Sequence, residues 1–375
     1  MKKNLIIFGT RPEAIKMAPL VKAFKNSSKF ITKVCVTAQH KEMLSQVLEF
    51  FEIVPDFNLN LMRANQDLHS LTAEILIQIK TVLDDYQPDF VYVHGDTTTS
   101  MAASVASFYS GIKVCHVEAG LRTFRKDSPF PEEINRQITG RIADFHFAPT
   151  NASQLNLLKE GVEKSKILIT GNTVIDALLE SVNRIELILS DEIEFLKSLI
   201  DPSKKIILVT GHRRENHGQG LLDICFALKK IVGNFDSVQI IYPVHLNPNV
   251  NKYVHGILDG IPNINLIKPL SYPSFVWLMK KCFLILTDSG GVQEEAPSLG
   301  KPVLVMRNNT ERLEAVEAGS VILVGTDSDL IYKSVEILLK DNHLYARMSS
   351  IQNLYGDGLA SNRIVEFMES YIQSN

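Results

Sequence analysis

Short apolar runs rich in Val, Ile and Leu recur along the chain, separated by segments whose apolar positions repeat at helical spacing. The first half offers LIIF, TKVCVT, FVYVHG, KVCHVEAG, DFHFAP and KILITG; the second offers KIILVTG, SVQIIYPVH, INLIKP, FLILTDSG, KPVLVM and SVILVG. Buried β-branched strands alternating with amphipathic helices predict an α/β fold, with parallel sheets covered by helices on both faces. Twelve strands are too many for one comfortable sheet, and 375 residues are too many for one ordinary core. The stretch from Thr173 to Ser203 is helical and charged and holds no strand, so the pattern predicts two domains, 1–172 and 173–358. A last helical pattern follows, and the segment 359–375 is read as returning to the first domain. Ligands in open parallel sheets sit beyond the carboxyl ends of strands, and two such edges facing each other predict a cleft.

Candidate chemistry gathers at the strand-to-helix turns. After LIIF come Gly9, Thr10, Arg11, Pro12 and Glu13, where a dinucleotide fold would carry three glycines. Thr10 and Glu13 fit a capping box, while Pro12 disfavours a helical Arg11 and makes Arg11 itself a candidate cap. A helix start beside an arginine suits an anion, with Lys16 one turn on; the plainer alternative is a capped helix with a solvated Arg11. Asp96 follows the strand ending in HG, as a chemical group or as a helix cap. Glu118 ends the strand of VCHVEAGLRT. Glu132 and Glu133 open a helix after two prolines; Glu133 suits the helix dipole, and Glu132 shares a face with Arg136. Carboxylates converging on one sheet edge push their pKa values apart and yield an acid and a base. Proton transfer is the preferred use of Asp96, Glu118 and Glu132, and a magnesium site from Asp96 and Glu118 stays open.

In the second half, His212, Arg213 and Arg214 follow Gly211 in a cationic turn suited to phosphates. Ser289, Gly290 and Gly291 begin a helix whose backbone N–H groups can approach a diphosphate, and a glutamate one turn in can accept a ribose hydroxyl.

Composition narrows the field further. A net charge of −3 gives no footprint for nucleic acid, and no apolar stretch approaches membrane-spanning length. Charged Arg11 and Glu13 leave the N-terminal apolar run too short for a signal peptide. Four scattered cysteines, Cys35, Cys115, Cys225 and Cys282, look like buried small hydrophobes in a reducing, cytoplasmic compartment, with no metal or disulfide spacing.

Taken in order, GTRPEAIKMAP, HGDTTT, HVEAGLRT, PEEINR, TGHRREN and DSGGVQEEAPSLGKPVLVMR followed by TER resemble the non-hydrolysing UDP-N-acetylglucosamine 2-epimerases over nearly the whole chain. The resemblance implies a GT-B fold of two Rossmann-like domains, a homodimer and no cofactor. It implies interconversion of UDP-N-acetylglucosamine and UDP-N-acetylmannosamine for surface polysaccharide synthesis. It assigns Ser289, Gly290, Gly291 and Glu295 to the UDP, with Arg11, His212 and Arg312 near the diphosphate and Phe275 and Leu270 at the uracil. Lys16, Asp96, Glu118, Glu132 and Arg136 would surround the sugar. A second UDP-sugar acting as effector would meet Gln39, Gln66, Arg213 and His245. There Glu42 and Asn65 replace a Gln and an Arg found in activated members, which predicts weak activation. Two further departures are Leu313, where members commonly carry proline and whose flexibility is expected to loosen Arg312, and His217, where they carry an apolar residue. A GT-B glycosyltransferase and a nucleotide-sugar sensor without catalysis remain the alternatives.

Overall fold

The computed structural model describes residues 1–37, 41–61, 66–211, 213–351 and 354–374; for residues 41–43 and 214 only the backbone is described. The described residues divide into two compact units, Met1–Leu179 with Tyr355–Asn375, and Glu180–Leu354. The residue pattern puts the boundary before Thr173; the units divide inside the helix Thr173–Arg184.

The first unit is built on seven parallel strands: β1 (Lys2–Phe8), β2 (Phe30–Val36), β3 (Phe57–Asn58), β4 (Phe90–His94), β5 (Lys113–Val117), β6 (Phe145–Ala148) and β7 (Ile167–Ile169), in the order β3-β2-β1-β4-β5-β6-β7. The second unit has six: β8 (Lys205–Thr210), β9 (Val238–Pro243), β10 (Ile264–Ile267), β11 (Leu284–Thr287), β12 (Val303–Val305) and β13 (Val321–Leu323), in the order β10-β9-β8-β11-β12-β13. Each of the twelve apolar runs forms a strand. The thirteenth, β3, is a two-residue edge strand, too short to leave a pattern.

These orders locate the sites. In the first sheet the chain winds outward from β1 in one direction and from β4 in the other, so the connections diverge between β1 and β4. In the second they diverge between β8 and β11. A crevice opens at such a switch point, beyond the strand ends. The central strands β4 and β11 are buried on both faces along their whole length, which explains why they read as continuous apolar runs.

The C-terminal helix Ala360–Ser374 belongs to the first unit. Phe367 and Tyr371 lay their rings on Phe145 at 5.8 and 4.7 Å, and Glu369 accepts a hydrogen bond from Ser27 Oγ at 2.6 Å. Asp176 caps that helix through the N–H groups of Ala360 and Ser361. All four cysteines are buried free thiols, and burial pushes those of Cys35, Cys225 and Cys282 up to about 12.

Two buried imidazoles face each other across β5 and β6, His116 opposite His146. Burial, reinforced by mutual repulsion, drops His116 to about 3; burial drops His146 to about 4. The unfolded chain binds both protons below the ordinary value of 6.5, so the stability these groups contribute is present above that pH and lost as pH falls toward 4. Each imidazole costs about 1.4 kcal/mol for every pH unit below its ordinary value, or about 2 kcal/mol by pH 5. The urea midpoint of the first unit should therefore fall steeply between pH 7 and 5, and His146→Gln should flatten that dependence.

Candidate active site

At the first switch point, Thr10 caps the helix Arg11–Asn26 and Glu13 completes the capping box. The expectation that Arg11 is the cap is thus corrected: Arg11 is the first helical residue, because Thr10 already supplies the capping oxygen. Glu13 does more than close that box. Its buried carboxylate accepts from Gly9 N, Thr10 N and Thr10 Oγ1 at 3.0, 2.7 and 2.8 Å, and from Thr97 Oγ1 and Ser100 Oγ at 2.7 and 3.1 Å. It therefore ties the turn after β1 to the turn after β4, across the switch point.

Asp96 does not cap the following helix; Thr97 does, accepting from Ser100 N at 3.0 Å. Asp96 is left for other work. Arg136 Nε and Nη2 both donate to its Oδ2, at 3.0 and 2.7 Å, and Asn135 Nδ2 donates to its backbone oxygen at 2.9 Å. Arg136 also reaches Glu133 at 3.3 Å. Glu133 is wholly buried and accepts from the N–H groups of Thr123 and Phe124 and from Gln137. Burial raises its pKa, but these hydrogen bonds outweigh burial and hold it below the usual range. It fastens the loop that precedes its helix and is more than a partner of the helix dipole.

Glu118 follows β5 and is buried. Lys16 Nζ donates to its Oε2, Asn172 Nδ2 donates to the same oxygen at 3.2 Å, and His94 Nε2 lies 3.0 Å from it. Glu132 opens the helix Glu132–Ile142, one turn before Arg136, and its Oε2 is buried with no hydrogen-bond partner among the described residues. The three predicted carboxylates thus belong to one sheet edge in three distinct states: Asp96 on an arginine, Glu118 on a lysine, Glu132 with an uncompensated oxygen. Where a cation would sit on Asp96 and Glu118, basic side chains already do, and no group of three metal-binding side chains occurs among the described residues.

At the second switch point, Ser289 precedes the helix Gly290–Ser298 without any side-chain cap, so its first N–H groups point outward. Gly290 leaves room for Arg312, since a Cβ there would come within 2.9 Å of the guanidinium. Arg312 is buried and donates to Glu294 at 2.8 Å and to Glu311. These two carboxylates hold the guanidinium of Arg312, beside Leu313. Arg307 pairs with Glu215 and Glu311. Burial raises Glu311, but Arg312 and Arg307 outweigh it and hold its carboxyl far below the usual range. With its guanidinium groups engaged in this way, the pull on an anion comes chiefly from the uncapped helix end. Glu295 lies one turn into that helix and accepts from Tyr272 Oη at 2.7 Å. Leu270 is buried just ahead of the helix Tyr272–Lys281, which carries half-buried Phe275.

His212, Gln39 and Asn65 lie outside the described residues, as does the side chain of Glu42. Arg213 donates its N–H to Asp288 at 2.8 Å after β8, and His245 is exposed after β9, the neighbouring strand. Gln66 belongs to the first unit, where it donates to Glu74 at 3.3 Å. Sequence reasoning passed over His94 and Asn172. His94 stands in the quoted strand VYVHG, two residues before Asp96, and that position at a strand end was its signal; Asn172 carried none.

A family model described as UDP-N-acetylglucosamine 2-epimerase matches residues 22–369. The UDP-N-acetylglucosamine 2-epimerase of Escherichia coli K12 is 56% identical over 372 residues, covering 98% of each chain. The crystal structure of the UDP-GlcNAc 2-epimerase from Neisseria meningitidis bound to UDP-GlcNAc superposes with a TM-score of 0.94 at 48% identity, covering 98% of this chain and 100% of that one. The enzyme of Methanocaldococcus jannaschii, in complex with UDP-GlcNAc and UDP, gives 0.85 at 35% identity, covering 99% and 100%.

Proposed function

The chain belongs to the UDP-N-acetylglucosamine 2-epimerase family, and from that premise we propose how its residues carry the reaction. The reaction inverts C2 of the sugar, interconverting UDP-N-acetylglucosamine and UDP-N-acetylmannosamine. C2 is not next to a carbonyl, so its proton is not acidic enough for direct exchange. The route open to acid/base groups alone is elimination. A carboxylate takes the C2 proton, the C–H electron pair becomes the C1–C2 double bond, and the C1–O bond breaks with its pair leaving on UDP. A proton returned to the opposite face of C2, with UDP re-adding at C1, completes the inversion without net oxidation.

Asp96, Glu118 and Glu132 supply the proton transfers. The observation that carries this is that Asp96 and Glu118 follow neighbouring strands, β4 and β5, each on a buried cation, while Glu132 opens the helix whose Arg136 holds Asp96. Lys16 and Arg136 are the cations around the sugar, and Arg11 lies near the diphosphate. The uncapped N–H groups of Gly290 and Gly291, with Ser289, Arg312 and His212, stabilise the departing diphosphate; Glu295 holds the ribose, and Leu270 with Phe275 the uracil. We further read the protein as a homodimer in the cytoplasm, in keeping with its buried free thiols.

NMR of UDP-N-acetylglucosamine incubated with the protein in D2O, with no sugar acceptor present, tests the scheme. UDP-N-acetylmannosamine carrying deuterium at C2 is the expected product. Epimer without solvent deuterium would sink the elimination route, and free UDP alone would point to a transferase.

A further inference from the structure

Glu118 combines three unusual features. Its backbone is left-handed, with φ at +60°, a conformation costly for a residue with a Cβ and found where the surroundings over-determine it. Its carboxylate is almost wholly buried. And groups from three separate elements reach one of its oxygens, Oε2: Lys16 from the helix Arg11–Asn26, His94 from the end of β4, and Asn172 from the turn after β7.

Two of these are residues to which the reaction as described gives no part. His94 Nε2 is buried and makes no aligned hydrogen bond, although it lies 3.0 Å from Oε2. A buried nitrogen without an aligned hydrogen bond is costly, so its persistence beside a carboxylate calls for a reason. A protonated Nε2 can donate to a carboxylate oxygen, so this nitrogen can help to hold the charge on Oε2. Asn172 is held from both sides. Its N–H donates to Tyr355 O at 2.6 Å, and its Oδ1 accepts from Val174 N at 3.1 Å, which aims Nδ2 at Glu118. Gly171 and Gly356, both at positive φ, let the two chain segments pack backbone to backbone at this point.

We propose that His94 and Asn172 are positioning residues for Glu118: with Lys16 they fix Oε2 as the anionic oxygen, so that the proton is exchanged at Oε1. This rests on the epimerase chemistry proposed above. The anchored oxygen carries the negative charge before the proton arrives, and Oε1 forms the new O–H bond as the C2–H bond breaks. His116, near His94, turns its Nε2 to Gly95 O at 2.7 Å and is kept neutral by burial. Lys16 and Glu118 face His94 as an ion pair, and Asp96, two residues on, is paired with Arg136.

Donors on a carboxylate favour its ionised form, so removing one raises its pKa. In the full-length enzyme, His94→Phe and Asn172→Leu should each lower kcat about tenfold or more with a smaller change in KM, and should move the acid limb of the kcat/KM profile upward by about half a pH unit or more. His94→Gln, which retains a donor, should recover part of both effects. Folded variants with kcat within about twofold of the parent overturn the proposal, and so does a loss of kcat with an unmoved pH profile. Should His94→Phe fail to fold, His94→Gln and Asn172→Leu decide it by the same two readouts. The unmodified enzyme is followed in parallel for deuterium at C2. If it incorporates none, the elimination reading fails; if it does and the variants behave like it, only the assignment of His94 and Asn172 fails.

Discussion

Glu132→Gln is expected to cut turnover at least about 100-fold while leaving UDP affinity and the melting temperature close to those of the parent. The reason lies in what Glu132 does not do. Its Oε2 is buried without a hydrogen-bond partner among the described residues, so replacing that oxygen by an amide breaks no hydrogen bond to them. The change is nearly isosteric and removes a titratable group and little else. Its effect on kcat then reads chemistry directly. Glu118→Gln and Asp96→Asn should be at least as slow, but each takes a charged partner from a buried cation, Lys16 or Arg136. Those two variants should melt lower as well, and their kinetics need correction for it. Steady-state rates beside calorimetry with UDP separate the contributions; near-normal turnover in Glu132→Gln would return that residue to a structural role.

Glu13→Ala should do the opposite, destabilising the first unit by about 3–5 kcal/mol. Five donors converge on this buried carboxylate, two from the backbone and three from hydroxyls. Removing it leaves buried donors without their acceptor and breaks one half of the capping box. Glu13→Gln keeps the shape but turns an all-accepting group into one that must also donate, so it should recover only part of the loss. Urea unfolding followed by a probe in the first unit measures both. A loss under about 1 kcal/mol for the alanine variant would mean that the two turns hold together without this carboxylate.

The strands were legible because burial on both faces leaves an uninterrupted apolar run, as in FVYVH and FLILT. The carboxylates Asp96 and Glu118 were legible because a strand end is a fixed address. What stayed hidden depended on residues far apart in the chain. Glu13 reads as a local cap because its partners Thr97 and Ser100 lie more than eighty positions away. Glu132 and Arg136 share a helix face, yet the arginine turns to Asp96 and to Glu133. Asn172 sits in a turn with no motif, and its reach to Glu118 follows only from the order in which β4 to β7 lie side by side.

The helix Ala360–Ser374 completes the first unit although the whole of the second precedes it in the chain. During synthesis, the aromatic face of Phe90, Phe145 and Phe147 therefore waits without Phe367 and Tyr371 until residues 180–354 have been made. The usual order, in which the N-terminal part matures first, is reversed: the later-made unit is the first to have all its pieces. On the ribosome this puts the exposed surface, and with it the demand for chaperones, on the half that carries the carboxylates.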